Sequence, residues 1–241
     1  MNSMFSIFKN YPELVYGFTG KNDGSMKIFD AENQTEDETH RQNKKNYFAK
    51  VGIDFKDLVQ ANLVAGNKVC TVSDGDKGKF IDNADALITS SKDIFLGITS
   101  ADCFPIYFYN PENKTIALAH AGWRGIIKNI IGETLNKLDP DKIFRGKILI
   151  CVGPGIRLCC YDIKDEVADE FGKDYGKFIT YKDDKVFVDL PGVIKHQLMS
   201  LGISENHIED SEECTYHSGK HFSWHKERDK MKQNMAYFGI K

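Results

Sequence analysis

The sequence has no C-x-x-C pair, no long apolar run, no excess of basic charge, no internal repeat and no Gly/Ser- or Pro-rich linker. Each absence removes a class of protein. Without a C-x-x-C pair a structural zinc knuckle is not expected. The six cysteines, at 70, 103, 151, 159, 160 and 214, form no regular framework, and the adjacent Cys159 and Cys160 are too close to bridge without a strained ring. The longest apolar stretches, such as FPIYFY and IALA, fall far short of the roughly 20 residues that span a bilayer. Lys and Arg number 32 against 35 Asp and Glu, a net charge of −3, so no global positive field recruits nucleic acid or an anionic membrane. Any anion site must be local. The start, MNSMFSIFKNYPELVYGF, lacks a basic leader, an apolar run and a small-residue cleavage site. A reduced, soluble, cytoplasmic protein with neither nucleic-acid nor membrane partners is expected. With 241 residues the chain can bury roughly 70–75% of the surface its unfolded form exposes, and lacking a linker it reads as a single domain over residues 1–241.

What is present is mostly β-type. Residues 20–48 are polar and read as a loop followed by a helix from Thr35 to Val51, with Thr35 as cap. From Lys68 onward come KVCTVS, DALITS, DIFLGITS, FPIYFYN, TIALAHAG and KILICVG, each a strand candidate. Helix-spaced Ile130, Ile131, Leu135 and Leu138 predict a helix over 125–138. Further helices are expected at 163–172 and at 191–201, the latter with Pro191 near its first turn, and a last strand at 235–240. Strands grouped centrally with irregularly interleaved helices suggest an α+β fold with mixed sheets.

Residues 103–122 carry the sharpest local inference. FPIYFYN and TIALAHAG are separated by PENK, a four-residue turn. With Asn110 paired to Thr115, Cys103 lies opposite Gly122 and His120 opposite Pro105. Alternation then turns Cys103, Pro105 and His120 to one face, the thiol and imidazole being diagonal neighbours with Cα atoms on the order of 7–8 Å apart. A soft S/N pair suits zinc or copper; without metal it is a nucleophile and its base; and a buried thiol is also simply a small hydrophobe. Asp102 precedes the cysteine and can orient His120, move a proton or merely close a turn. After His120, Ala121–Gly122–Trp123–Arg124–Gly125 runs into a helix, so Gly122 lets backbone approach a ligand and Arg124 offers an anion contact. GPGIRLCCYDI (153–163) makes a second tight turn.

The strings ADALIT (84–89), TSADCFPI (99–106), AHAGWRGI (119–126), VGPGIRLCCYDI (152–163), VDLPGVIKHQL (188–198) and CTYHSGKHFSWHKE (214–227) resemble the YfiH-like multicopper polyphenol oxidase proteins, also called laccase-domain purine nucleoside phosphorylases. The resemblance runs through most of the chain beyond about residue 63. It implies a single four-layer α/β/β/α domain with mixed β-sheets and a metal-dependent enzyme acting on purine nucleosides. Such an enzyme phosphorolyses adenosine, inosine and methylthioadenosine and deaminates adenosine, with nucleosides and phosphate as its partners, as a monomer or small homo-oligomer. In the family zinc is held by a cysteine and a histidine that match Cys103 and His120, and by an upstream histidine. Aligned on the following glycine and lysine, that third position is Ala65 in LVAGNKV, and a methyl group donates no lone pair. Another histidine (His40, His217, His221 or His225) substitutes, substrate completes the shell, or activity is impaired. Arg157–Leu158 stands where the family has Gly–Pro, and Gln233–Asn234 where it has Gly–Arg, which removes an anion contact. Catalysis is expected at Cys103, His120 and Asp102, and substrate or phosphate contacts at Arg124, Gly122 and Tyr161, with Tyr161 and Trp224 as candidate walls for the base. Two rival readings are a metal-free Cys–His hydrolase or acyl-transfer enzyme, which needs no third ligand, and a nucleoside-binding protein that has lost turnover. An oxidase fits least, because multicopper sites need many histidines.

Overall fold

The computed structural model describes residues 4–28, 36–228 and 232–241. In the first half of the chain lie β1 (Leu14–Phe18), α1 (Glu38–Lys50), β2 (Leu58–Asn62), β3 (Val69–Thr71), β4 (Phe80–Asp82), β5 (Ala86–Thr89), β6 (Phe95–Ser100), β7 (Phe104–Asn110) and β8 (Thr115–Ala121). There follow α2 (Trp123–Ile127), α3 (Ile130–Leu138), β9 (Leu149–Val152), β10 (Asp162–Ile163), α4 (Asp165–Tyr175), β11 (Ile179–Lys182) and β12 (Lys185–Val188). The last elements are α5 (Leu190–Ser200), β13 (Ile208–Asp210), α6 (Thr215–Ser218), α7 (Trp224–Glu227) and β14 (Asn234–Ile240).

Two mixed sheets form the centre. One runs β1-β14-β6-β2-β4 and the other β13-β9-β7-β8-β5-β3, and a small antiparallel sheet, β10-β12-β11, flanks them. Period-two alternation explains the layering. On β7 and β8, Tyr107, Tyr109, Ile116 and Leu118 face the first sheet and pack on Val59, Leu96, Ile98 and Phe238. Ile106, Phe108, Ala117 and Ala119 face the other way, against Ile130, Ile131 and Leu135 of α3 and Val193, Ile194 and Leu198 of α5. On the far side of the first sheet Phe48 of α1 packs with Leu58, Phe95 and Met235. The order is therefore helix, sheet, sheet, helix, the α/β/β/α arrangement that the resemblance implies. Both faces of the inner strands are buried, which is why they read as near-continuous apolar runs.

The helix expected at 163–172 is α4, Asp165–Tyr175, with Ile163 instead in β10, and the one expected at 191–201 is shifted by one residue; two further differences have a visible cause. The expected 125–138 helix is two helices, because Asn129 adopts φ +66 and breaks the ladder between α2 and α3. The first helix is capped by Asp37, whose side chain accepts from the amides of Thr39 and His40, whereas Thr35 lies outside the described residues. Pro191 stands in the first turn of α5 as its ring geometry favours. Among the described residues no helix is long and apolar enough to cross a membrane.

Candidate active site

The β7–β8 hairpin has the register that its loop length predicts: Asn110 faces Thr115, Pro105 faces His120, and Phe104 faces Ala121. Cys103 and Gly122 are the residues just beyond the paired ends. A Cβ on Gly122 would stand 2.9 Å from the Cys103 sulfur and 3.5 Å from Cε1 of His120. Glycine is therefore what allows thiol and imidazole to share this space. Cys103 is partly exposed, and His120 is only 8% exposed.

The partner of His120 is Asp85, which the sequence reading passed over. The His120 amide donates to the Asp85 carbonyl (2.8 Å), and Nδ1 lies 3.4 Å from Asp85 Oδ1. The other carboxylate oxygen accepts from the Gly66 amide at 2.8 Å, so one fully buried acid ties the imidazole to the loop that carries Ala65. Its signal was an aspartate at the entry of an otherwise apolar strand, ADALIT. Burial pushes the Asp85 carboxyl up, but hydrogen bonds from His120 and Gly66 outweigh it and leave it below 3.8. Burial likewise favours neutral His120, but the Cys103 sulfur and Asp85 prevail and raise its pKa from 6.5 to about 10. The stabilisation contributed by the imidazolium is thus complete below pH 6.5 and lost as pH rises through about 10. That of Asp85 is present above pH 3.8 and lost on acidification. The melting temperature is expected to be highest between these limits and to fall toward pH 10. In His120→Gln the alkaline part of the fall should shrink; an unaltered profile would mean that the pair does not form.

Asp102 is held by residues further along the chain. Its carboxylate accepts from the Thr215 hydroxyl (2.6 Å) and the His225 amide (2.7 Å), and its carbonyl accepts from the Ile156 amide (2.8 Å). At φ +91 it holds an uncommon backbone conformation immediately before Cys103. Its place is that of a pin fastening the α6–α7 segment and the 153–163 loop around the cysteine.

Two cavities meet here, of about 430 and 620 Å³, and Ala101, Cys103 and Trp224 line both. Ala65, Thr99, Ser100, His120 and Gln233 line the smaller. Arg124, Tyr161, Lys164, His225 and Arg228 line the larger. Arg124 lies over the Trp123 ring at 4.2 Å and Arg228 over Trp224 at 4.7 Å. Burial pushes the Tyr161 phenol up, so it stays a neutral wall. Of the departures from the family strings, Arg157 is held by Asp210. Asn234 is buried, its amide donating to the carbonyls of Ser100 (3.0 Å) and Phe222 (2.9 Å).

Ala65 lines the smaller cavity together with Cys103 and His120, and among the described residues no other histidine lines it. His221 faces the Thr19 carbonyl (3.1 Å), His225 sits between the rings of Tyr161 and Trp224, His217 is with Cys159 and Cys160, and His40 is on α1. Among the described residues the pocket does not assemble three potential ligands. A catalytic zinc takes three protein ligands and keeps one position open, so these residues do not fit a complete zinc site. Cys103 and His120 offer two donors.

Cys103 and His120 thus stand at the junction of two cavities on a helix–sheet–sheet–helix frame. The chain belongs to the family described as multi-copper polyphenol oxidoreductase laccase, whose sequence profile matches residues 16–241. It is 28% identical to the purine nucleoside phosphorylase YlmD of Bacillus subtilis (strain 168), over 97% of this chain and 91% of that protein. It is 26% identical to adenosine deaminase RL5 from an unknown prokaryotic organism, over 69% of this chain and 68% of that one. The crystal structure of YlmD from Geobacillus stearothermophilus superposes with a TM-score of 0.86 at 25% identity, covering 97% of this chain and 94% of that one.

Proposed function

We propose that this protein, acting as one domain over residues 1–241, cleaves purine nucleosides with phosphate, giving the free base and the 1-phosphorylated sugar. Adenosine, inosine and methylthioadenosine are its substrate class. The observation that carries the reading is the pair of cavities meeting at Cys103, the smaller lined by Thr99, Ser100 and Gln233 with His120 and Lys232, the larger by Arg124, Lys164 and Arg228 with Asp102 and Asp162. Their volumes fall in the range of small-molecule sites. Purine edges match Thr99, Ser100 and Gln233 in the smaller chamber, and phosphate matches the two guanidinium groups in the larger. A phosphate oxygen bonds to the anomeric carbon, the bond from that carbon to the purine breaks with its electron pair on the base, and the base takes up a proton. His120, held protonated by its two neighbours, supplies that proton. Tyr161 and Trp224 wall the ribose and base, Asp102 fixes the loop, and Gly122 leaves room for the pair.

Zinc, or copper, is the cofactor the family implies, and Cys103 and His120 are the donors this chain offers. With Ala65 in third place the ion is expected to bind weakly, and deamination of adenosine, which needs an activated water, is expected to be the lesser activity. One observation favours a second reading: Cys103 and His120 crowd the same space beside Gly122, and Asp85 contacts the imidazole from behind, the residue set of a nucleophile, base and orienting acid in a metal-free hydrolase or acyl-transfer enzyme.

The deciding experiment incubates the protein with adenosine, with and without phosphate, before and after chelation, and resolves adenine from inosine. Phosphate-dependent adenine supports the proposal. Absence of both products, with an activated ester hydrolysed by chelated protein and blocked by thiol alkylation, favours the second reading. Arg124→Ala is expected to raise KM for phosphate about tenfold while kcat changes little; an unchanged KM would remove Arg124 from the phosphate site. We further propose a cytoplasmic protein, monomeric or a small homo-oligomer.

A further inference from the structure

Three of the six cysteines gather away from Cys103, on the other side of the Asp102 pin. Cys159 and Cys160 come from the turn between β9 and β10, Cys214 from the N-cap of α6, and His217 from within that helix. The Cys159 sulfur lies 3.9 Å from that of Cys214, 3.4 Å from that of Cys160 and 3.5 Å from His217 Nδ1. The Cys160 sulfur lies 3.4 Å from His217 Nε2. All four ligand atoms fall within 4.8 Å of one another, and the six cysteines are unbridged.

These separations have a physical reference. A tetrahedral zinc with Zn–S near 2.3 Å and Zn–N near 2.0–2.1 Å places its sulfurs about 3.8 Å apart and sulfur from nitrogen about 3.5 Å. With Nδ1 of His217 as the nitrogen donor, at 3.5 Å from Cys159 and 3.6 Å from Cys160, four of the six edges are within about 0.4 Å of that tetrahedron, and the two others, from Cys214, are within 4.8 Å. Hydrophobic burial does not account for the convergence, because Cys159 and His217 are exposed and only Cys214 is buried. The expectation against a zinc knuckle rested on the missing C-x-x-C pair. The fold draws the same ligand types from a C-C pair and a C-x-x-H turn that lie far apart in sequence.

We propose that Cys159, Cys160, Cys214 and His217 form a structural site for one thiophilic metal ion, zinc by its geometry, separate from the Cys103–His120 pocket. Binding releases the thiol protons and leaves a closed four-ligand shell with no open position, so the ion braces and does not catalyse. What it braces is the wall of the larger cavity. The turn that carries Cys159 and Cys160 also carries Tyr161, and the segment that carries Cys214 and His217 leads into Trp224, His225 and Arg228. The two segments are already joined by the bridge between Gly155 and Cys214, where the Gly155 amide donates to the Glu213 carbonyl (3.2 Å) and the Thr215 amide to the Gly155 carbonyl (3.1 Å), and by the Arg157–Asp210 pair.

The test uses full-length protein, stripped with a chelator and titrated with cobalt(II) alone, in the Cys103→Ser background so that the catalytic pocket is disabled as a thiolate site. The expected result is one equivalent bound, with intense sulfur-to-cobalt charge-transfer absorption and tetrahedral d–d bands. Cys159→Ser/Cys160→Ser is expected to abolish these bands, and the exposed His217→Ala to weaken binding on the order of a hundredfold or more. Both changes are at the surface, so the proposal stays testable if the buried Cys214→Ser fails to fold. Hydrogen exchange in 155–163 and 211–218 should slow on metal addition. Absence of charge-transfer bands in the Cys103→Ser protein overturns the proposal. So do bands that survive the double cysteine variant, or two thiols missing from unreduced denatured protein through a Cys159–Cys214 disulfide. Because none of these readouts is turnover, the result stands apart from the fate of the nucleoside reading.

Discussion

In Cys103→Ala, kcat/KM for phosphorolysis of adenosine is expected to fall by about 10³-fold, with the melting temperature changed by only a few degrees. The residue stands just before β7, partly exposed, and lines both cavities. Truncation therefore removes few packing contacts and no strand pairing, but takes the sulfur from the point where the chambers meet. It also takes away one of the two neighbours that keep His120 protonated, so the pH–rate profile should shift toward lower pH. Retention of most of the activity would place the chemistry elsewhere. Activity lost in parallel with a large drop in melting temperature would assign Cys103 a packing role.

Ala65→His is expected to act in the opposite direction. It should convert two donors into three, giving about one tightly held zinc at this pocket and at least a tenfold gain in deamination of adenosine. The backbone favours the change. Ala65 sits at φ +54, a left-handed conformation that costs alanine on the order of 1 kcal/mol and in which histidine is found several-fold more often than most residues. The Asp85–Gly66 hydrogen bond already holds that loop beside His120. If zinc content at the pocket, measured in His217→Ala protein, does not rise in Ala65→His, the third-ligand position is not residue 65. Asp85→Asn provides the companion measurement: about a tenfold to hundredfold loss of zinc affinity in the three-ligand variant, with the His120 midpoint lowered.

How much of this was legible in the sequence follows from contact range. The hairpin was readable because a short turn fixes the register of two strands, so the juxtaposition of Cys103 and His120 came from local spacing alone. Asp85 was not, because β5 reaches β8 only through a long connection and no local pattern announces that pairing. The same holds for the metal-type cluster, where Cys159 and Cys214 are 55 residues apart in sequence. Strands β1, β2, β4 and β10 to β13 are not legible because short or polar stretches such as LVQAN carry little alternation. The break at Asn129 was hidden because the isoleucines and leucines on either side keep helical spacing across it. Ala65 was conspicuous only against the family strings; residue chemistry alone gives no reason to expect a ligand there.

The chambers meet along a shared lining, Ala101, Cys103 and Trp224 belonging to each. Two small molecules can therefore reside together, one on either side of the sulfur, without exchanging places. That arrangement calls for a ternary complex: double-reciprocal plots at several phosphate concentrations should intersect, and labelled sugar should not accumulate on the polypeptide when phosphate is withheld.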